Sequence, residues 1–167
     1  LPLMRGLRAR GYSLSVDMQS FVRQVDPQTR EIRFADVATK REIVAMMDRV
    51  KLDGVEARIL TGTGDVREAA TLVAGWGCPE VLVTHAEGVA ARVLGESLYE
   101  RFSNDSVVGR TGRGDTTFAA YLCHRLDHDP AESLKFAAAL VSIKMESPGP
   151  FRGTLADVER RIRERHR

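Results

Sequence analysis

A glycine-rich segment that ends in an acidic residue has the composition of an anion-binding turn. Gly109, Gly112 and Gly114 come just before Asp115. Glycines let a backbone approach a ligand closely, and the first N–H groups of a helix point at negative charge. A carboxylate at the mouth of such a site repels a resting phosphate, so Asp115 is suited to accept a proton from an attacking hydroxyl.

The residues on both sides of the turn predict a strand before it and a helix after it. Val107 and Val108 are apolar, as in a short buried strand, and Phe118, Leu122 and Leu126 recur at helical spacing. An ordinary strand-to-helix turn is the alternative interpretation. That alternative accounts for the glycines but not for a carboxylate at this spacing.

The segment from Thr111 to Phe118 resembles the second signature of the PfkB (ribokinase-like) carbohydrate kinases, D-T-x-G-A-G-D-x-F. The resemblance implies that the segment Gly112–Gly114 forms an anion hole for the transferred phosphoryl group and that Asp115 deprotonates the sugar hydroxyl. Gly109 stands where the family has its first aspartate, and Arg113 replaces a small residue. An anion hole uses backbone N–H groups, so Arg113 is compatible with it and adds positive charge.

Asp53 and Glu56 match the spacing of the family's N-x-x-E motif, with Asp in place of Asn. The resemblance implies that they organise Mg²⁺, and two carboxylates on a strand-end loop suit a cation that keeps several waters. The alternative is the first turn of a helix, where the dipole favours acidic residues. We expect both side chains to be exposed on a loop.

Two further segments resemble the nucleotide-binding region of the family. Thr84 and Gly88 match a V-T-x-G-x-x-G hairpin, although a plain hairpin would look much the same. The alanine-rich stretch 136–150 resembles the helix and Pro-Gly exit that border adenine. The nucleotide contacts that the resemblance implies are Thr84, Gly88, Thr111 and Ser142.

Asp17 and Arg23 lie after a predicted strand, where open α/β sheets place ligands. Several family members have an Asp-x-Gln/Asn-x-x-x-Arg run here. The resemblance implies that Arg23 contacts the substrate or phosphoryl group and that Asp17 holds the loop. A salt-linked surface turn is the alternative.

Composition limits the classes of protein that fit. The 167 residues are 43% hydrophobic and 29% charged, with a net charge of +2, which suits a globular α/β domain and gives no argument for nucleic acid. The basic cluster 160–167 closes a predicted helix and complements its dipole. No apolar run approaches the ~20 residues that a membrane span requires. Cys78 and Cys123 have no metal or redox spacing, which favours reduced cytoplasmic thiols.

Strands alternate with helices along the chain, which predicts one domain over residues 1–167 with a mainly parallel sheet covered on both faces. Strands are expected at Tyr12–Val16, Arg49–Leu52, 80–93, 97–102 and 106–109. Helices are expected before Gly11, over Lys40–Met47, from Asp65 to Trp76-Gly77, after Asp115, after Asp129 and after Thr154.

The resemblance covers nearly the whole chain but only the family's C-terminal half, which implies a ribokinase-like α/β/α fold without the sugar-binding motif and lid. The function implied is that of an ATP- and Mg²⁺-dependent kinase acting on a small sugar or polyol, present as a fragment that is inactive alone. Leu1 without a start Met predicts a native beginning further upstream. A homo-oligomer is expected because apolar strand surface would be uncovered. A non-catalytic nucleotide-binding module and a generic α/β interaction domain remain as alternatives.

Overall fold

The computed structural model describes residues 1–165. The chain divides into two compact units, one made of residues 1–85 with 90–97 and the other of residues 86–89 with those from 98 onward. A five-stranded sheet has the order β1-β4-β5-β6-β7. The sheet is mixed and mostly parallel with helices on both sides, so the predicted fold class is confirmed. The single-domain assignment stays a prediction.

The first unit begins with a regular alternation of helices and strands. Its elements are α1 (Pro2–Ala9), β1 (Ser15–Asp17), α2 (Gln19–Val22), β2 (Arg23–Val25), β3 (Ile32–Phe34), α3 (Lys40–Ala45), β4 (Arg49–Asp53), α4 (Gly54–Thr61), α5 (Val66–Ala74) and β5 (Glu80–Thr84). β4 pairs in parallel with β1 on one side and with β5 on the other. All three strands therefore present their carboxyl ends at the same edge.

The composition of the interior strand β4 explains its burial. Val50 and Leu52 are fully buried, in a core that also takes side chains from α2 to α5, among them Val22, Ile43 and Leu60. The strand runs Arg-Val-Lys-Leu-Asp and ends on Asp53, which is thereby placed at the carboxyl edge of the sheet. The core thus fixes the position of the Asp53 segment.

The small antiparallel sheet of β2 and β3 was not expected from the sequence. Arg23 pairs with Phe34 and Val25 with Ile32, and all six strand residues are exposed. Asp26 lies in the turn between these strands, where its carboxylate accepts hydrogen bonds from two backbone N–H groups. The hydrophobic pattern missed these strands because no core lies under either face.

The second unit is mainly helical. β6 (Gly88–Val93) and β7 (Glu96–Arg101), which extend across both units, are followed by α6 (Arg113–His124), α7 (Pro130–Met145) and α8 (Leu155–Arg165). α7 packs against both other helices, and its small residues Ala137–Ala139 are fully buried. Asp129 caps α7 as its sequence predicts, with its carboxylate accepting a hydrogen bond from the backbone N–H of Glu132 at 2.9 Å. The last two residues of the basic cluster at 160–167 lie outside the described part of the chain.

The strand expected at 106–109 is wrong. Val107 and Val108 are about 60% exposed, and the segment is not a strand. The backbone N–H groups of Val108 and Gly109 both donate to the carbonyl of Met145. These bonds attach the segment to the end of α7 instead of a sheet neighbour, so apolar composition was misleading here.

The helical spacing after Asp115 held over two turns only. Phe118 is buried, but Leu126 lies beyond the end of α6 and is 81% exposed. Strand β1 is also shorter than predicted, since Tyr12, Ser13 and Leu14 precede it. Both differences are boundary errors, because terminal residues of an element need no burial.

The two cysteines have different environments. Cys78 is buried and Cys123 is exposed, and both are free thiols. Burial raises the pKa of the Cys78 thiol to about 11. Within residues 1–165, no helix has both the length and the apolar character to cross a bilayer.

Candidate functional site

The glycine-rich turn lies in the second unit at the start of α6. Gly112 takes a left-handed conformation, with φ of 76°, and no side chain caps the helix. Among the described residues, the backbone N–H groups of Gly114 and Asp115 have no hydrogen-bond partner, as is usual in a first helical turn. Arg113 donates its own N–H to the carbonyl of Arg110 at 3.2 Å. Two free N–H groups and a helix dipole therefore favour an anion here.

Asp115 lies in this first turn with an exposed side chain. In the part of the chain that the structure describes, its carboxylate makes no hydrogen bond or ion pair, unlike Asp53, Asp65 and Asp129, which each cap a helix. A carboxylate with no internal partner is free to accept a proton from a bound hydroxyl group.

A cavity of about 390 Å³ opens beside the turn. Its lining residues come from the glycine-rich segment, the first turn of α6 and the end of α7. They are Val108, Gly109, Arg110, Thr111, Gly112, Asp115, Thr116, Lys144, Pro148, Gly149 and Pro150. The turn, the proposed base and a buried lysine thus line a single cavity within one unit.

Lys144 was not singled out from the sequence. Its side chain is buried, and its ammonium donates to the carbonyl of Gly109 at 2.5 Å and to that of Thr111. Lysine in an alanine-rich helix ordinarily faces solvent, so the sequence pattern carried no signal for this contact. Lys144 holds the glycine-rich segment against α7.

Gly109 has a packing role that accounts for its departure from the family signature. A Cβ atom built on Gly109 would lie 1.9 Å from the carbonyl oxygen of Ser147 and 3.1 Å from that of Lys144. No side chain fits there unless the backbone at Ser147 moves. An aspartate at this position is therefore incompatible with the local backbone.

Asp53 and Glu56 form a capping box at the start of α4 in the first unit. Oδ1 of Asp53 accepts from the N–H groups of Val55 and Glu56, each at 2.8 Å, and Oε2 of Glu56 accepts from the N–H of Asp53 at 2.7 Å. The helix-start alternative is thus observed. One oxygen of each carboxylate has no hydrogen-bond partner in the described chain, so a metal role stays a prediction.

The expected exposure of this pair is wrong for Glu56, whose residue is 1% exposed. Burial raises the pKa of Glu56 to about 7, although the Asp53 N–H and the Lys51 ammonium oppose the increase. The spacing in the sequence predicted that Asp53 and Glu56 lie in one turn, but it did not indicate that the Glu56 side chain points into the protein.

Lys51 is a second buried lysine that the sequence analysis missed. Its ammonium lies 2.9 Å from a carboxylate oxygen of Asp17 and 3.9 Å from one of Glu56. Asp17 and Glu56 therefore place two carboxylates beside a single buried cation. No group of three or more metal-ligating side chains was found in residues 1–165.

Asp17 makes a local backbone contact, and its expected role in holding the substrate loop stays a prediction. Oδ1 of Asp17 accepts from the backbone N–H of Gln19 at 3.0 Å, at the start of α2. Arg23 is exposed at the start of β2, and its substrate contact stays a prediction.

The residues expected to contact nucleotide have different surroundings. Thr84 is buried at the end of β5, with its hydroxyl 3.4 Å from the carbonyl of Leu52. Gly88 has no room for a side chain, since a Cβ would lie 2.4 Å from the Glu100 carbonyl. Ser142 donates to Ala138 at 2.6 Å and accepts from the Ser103 N–H at 2.8 Å, so its hydroxyl is engaged internally. Of the four, Thr111 alone lines the cavity.

Comparison with family models gives no match, and comparison with curated proteins gives none either. Solved structures do match. A pyrophosphate-dependent kinase of the ribokinase family, solved as a sulfate complex, is 37% identical with a TM-score of 0.85 and covers 95% of this chain. A pyrophosphate-dependent myo-inositol-1 kinase is 35% identical with a TM-score of 0.86 and covers 99% of it.

More distant structures have the same fold. A putative ribokinase II from E. coli, in complex with ATP and Mg²⁺, is 21% identical with a TM-score of 0.71 and covers 96% of this chain. The chain spans 55% and 59% of the two pyrophosphate-dependent kinases and 51% of the E. coli protein. Each match therefore concerns about half of a kinase.

Proposed function

Because the chain corresponds to about half of a ribokinase-family kinase, we propose that it carries the donor-binding and proton-accepting part of an enzyme that phosphorylates a hydroxyl group of a small sugar or polyol. One observation supports this above all: the uncapped start of α6, Asp115 with its unpaired carboxylate and the buried Lys144 line a single cavity. Each is suited to one part of phosphoryl transfer, which depends mostly on positioning and charge stabilisation.

Inorganic pyrophosphate is the donor we propose. The two kinases that are 37% and 35% identical to this chain are both described as pyrophosphate-dependent. The cavity lining supports a compact anion, because it includes Asp115 with its free backbone N–H group, Lys144 and the exposed Arg110, and includes no aromatic side chain. A diphosphate needs charge and hydrogen-bond donors, whereas adenine needs a flat apolar surface.

ATP is the second candidate donor. Pro148 and Pro150 form an apolar part of the same cavity, at the position where the sequence predicts the border of an adenine pocket. The E. coli structure with the same fold contains ATP and Mg²⁺. Either donor would place a phosphoryl group at the start of α6. The two differ only in the leaving group, which is phosphate for pyrophosphate and ADP for ATP.

In the reaction we propose, Asp115 accepts the proton of the acceptor hydroxyl group while the hydroxyl oxygen forms a bond to phosphorus. The bond between phosphorus and the bridging oxygen of the donor breaks, and phosphate leaves when the donor is pyrophosphate. The N–H groups of Gly114 and Asp115 stabilise the negative charge on the transferred group. General-base catalysis of this kind contributes ~10²–10⁴-fold.

Asp53 and Glu56 are the residues that we propose hold Mg²⁺. Mg²⁺ is commonly bound by one or two carboxylates together with waters and phosphate oxygens, which matches a pair with one unengaged oxygen each. A bound Mg²⁺ would supply positive charge at this helix start. The ammonium of Lys51 lies 3.9 Å from the Glu56 carboxylate, and Asp17 in turn holds that ammonium at 2.9 Å.

Calorimetric titration of the chain with pyrophosphate and with ATP, each with and without Mg²⁺, tests this proposal. We expect pyrophosphate to bind more tightly than ATP, and both to bind more tightly with Mg²⁺. Tighter binding of ATP would identify it as the donor. Binding of neither ligand would contradict the proposal and favour a generic interaction domain.

A further inference from the structure

Two buried lysines of this chain differ in how their charge is balanced. Lys51 and Lys144 are 3% and 2% exposed. The ammonium of Lys51 lies within 4 Å of carboxylates of Asp17 and Glu56. Within residues 1–165, the ammonium of Lys144 has no carboxylate partner and contacts two backbone carbonyls only. A buried charge without a counter-ion is costly, so this lysine needs an explanation.

The surroundings of Lys144 explain its position but not its charge. An ammonium has three donors, and two of them are taken by Gly109 and Thr111. The third has no partner among the described residues, although the side chain lines the cavity. A neutral donor would hold two carbonyls equally well at a lower desolvation cost. The positive charge is therefore available to a ligand.

We propose that Lys144 is the buried counter-ion of the donor: its ammonium binds a phosphate oxygen in the cavity while it fixes the Gly109–Gly112 segment. This inference rests on the proposed function, since it assigns a further binding residue to the same cavity. The bound anion would give Lys144 the charge partner that Lys51 already has. It would also give the free N–H groups at the start of α6 their acceptor.

Lys144→Met, compared with Lys135→Met, tests the proposal. Both changes remove one positive charge from α7, but Lys135 does not line this cavity. Lys144→Met should weaken pyrophosphate binding at least tenfold, which corresponds to about 1.4 kcal/mol. Lys135→Met should change it less than twofold. Lys144→Met removes a positive charge next to the ligand, whereas Lys135→Met does not. The salt dependence of the dissociation constant should therefore decrease for Lys144→Met alone.

The salt dependence of the dissociation constant separates a charge role of Lys144 from a structural one. A loop displaced by the substitution would weaken binding but would leave the salt dependence unchanged. Pyrophosphate affinity and salt dependence equal to those of the unaltered chain would overturn the role of Lys144 and leave the proposed function standing. No pyrophosphate binding by the unaltered chain would overturn the proposed function itself.

A measurement on the unaltered chain covers the case in which Lys144→Met does not fold. The ¹³Cε resonance of Lys144, assigned by comparison with Lys144→Arg, should shift when pyrophosphate is added, and that of Lys135 should not. An unchanged Lys144 resonance at saturating pyrophosphate would overturn the inference.

Discussion

Asp115 has a carboxylate that the fold itself does not use, which makes its substitution informative about chemistry. In a complete form of the enzyme, Asp115→Asn should lower the turnover number ~10²–10⁴-fold, the range typical for loss of a general base. Donor affinity should remain nearly unchanged, because the backbone N–H groups that we propose bind the phosphate are retained. Steady-state kinetics and donor titration measure the two effects.

Asp127→Asn is the matched control, since Asp127 is an exposed acid just beyond the other end of α6. It should leave the turnover number unchanged. Near-normal turnover of Asp115→Asn would remove Asp115 from the role of base.

Glu56 combines a structural and a proposed functional role. Glu56→Ala removes half of the capping box and leaves Lys51 with one carboxylate fewer. Loss of a helix cap costs about 0.5–2 kcal/mol, so the free energy of unfolding should decrease in urea denaturation. The Mg²⁺ dependence of pyrophosphate binding should decrease as well.

Glu68→Ala serves as the comparison for Glu56, because Glu68 is an exposed acid in the first turn of α5. Its substitution should change stability little and Mg²⁺ dependence not at all. Lowered stability of Glu56→Ala with unchanged Mg²⁺ dependence would assign Glu56 to the helix cap alone.

Gly109 tests the packing of the glycine-rich segment. Gly109→Ala places a Cβ atom 1.9 Å from the Ser147 carbonyl oxygen, and the clash should lower the melting temperature by several degrees. Gly64→Ala is the control, because nothing lies within 4 Å of a Cβ built there. Equal melting temperatures for the two variants would contradict the close approach.

At the scale of elements, α6 and α7 meet in a stack of rings. The ring centroids of His124 and His128 are 3.7 Å apart, and those of His124 and Phe136 are 4.3 Å apart. Burial, with the nearby charge of His128, lowers the pKa of His124, although three acidic residues oppose the shift. They are Glu132, Asp127 and Asp129. The folded state therefore favours neutral His124.

A lowered histidine pKa makes the unfolded state bind more protons at mildly acidic pH. The stability contributed by neutral His124 is present above the unfolded pKa of ~6.5 and is lost as the pH falls through the folded value. Urea denaturation should show that His124→Gln lowers the pH dependence of the unfolding free energy between pH 7.5 and pH 5. An identical pH dependence in both proteins would contradict this.

Elements with explicit boundary signals could be predicted from the sequence. Asp65 and Asp129 cap α5 and α7 as expected, and Thr154 and Asp157 bond to each other at the start of α8. These signals are local, because the capping side chain and the N–H group it bonds are two or three residues apart. The start of α6 after Gly112 was predictable for the same reason.

Contacts between distant residues could not be predicted in this way. Lys144 reaches Gly109 and Thr111 across more than thirty residues, and Lys51 reaches Asp17 across 34. Neither contact produces a periodic pattern in the sequence from which it could be predicted. The strand expected at Val107 and Val108 failed because apolar composition was read as burial, whereas the segment bonds to the end of α7.

At the scale of the whole molecule, we expect the 167-residue chain to bind pyrophosphate and to transfer no phosphate to a free polyol. Its solved relatives are nearly twice as long, and orienting two reactants can supply ~7–11 kcal/mol of barrier reduction. A coupled assay with myo-inositol and pyrophosphate, at protein concentrations sufficient to detect slow turnover, measures this. Transfer at ordinary kinase rates would contradict it, and the oligomeric state stays a prediction.

The contrast between the two cysteines makes the chain ready for site-selective labelling. Thiol reagents attack the thiolate, and Cys78 is both buried and held protonated near neutral pH. A maleimide fluorophore should therefore attach to Cys123 alone. Cys123 lies on α6, nine residues after Gly114, or about 13 Å along the helix at 1.5 Å per residue. A reporter of events at the donor cavity can be installed there without altering the sequence.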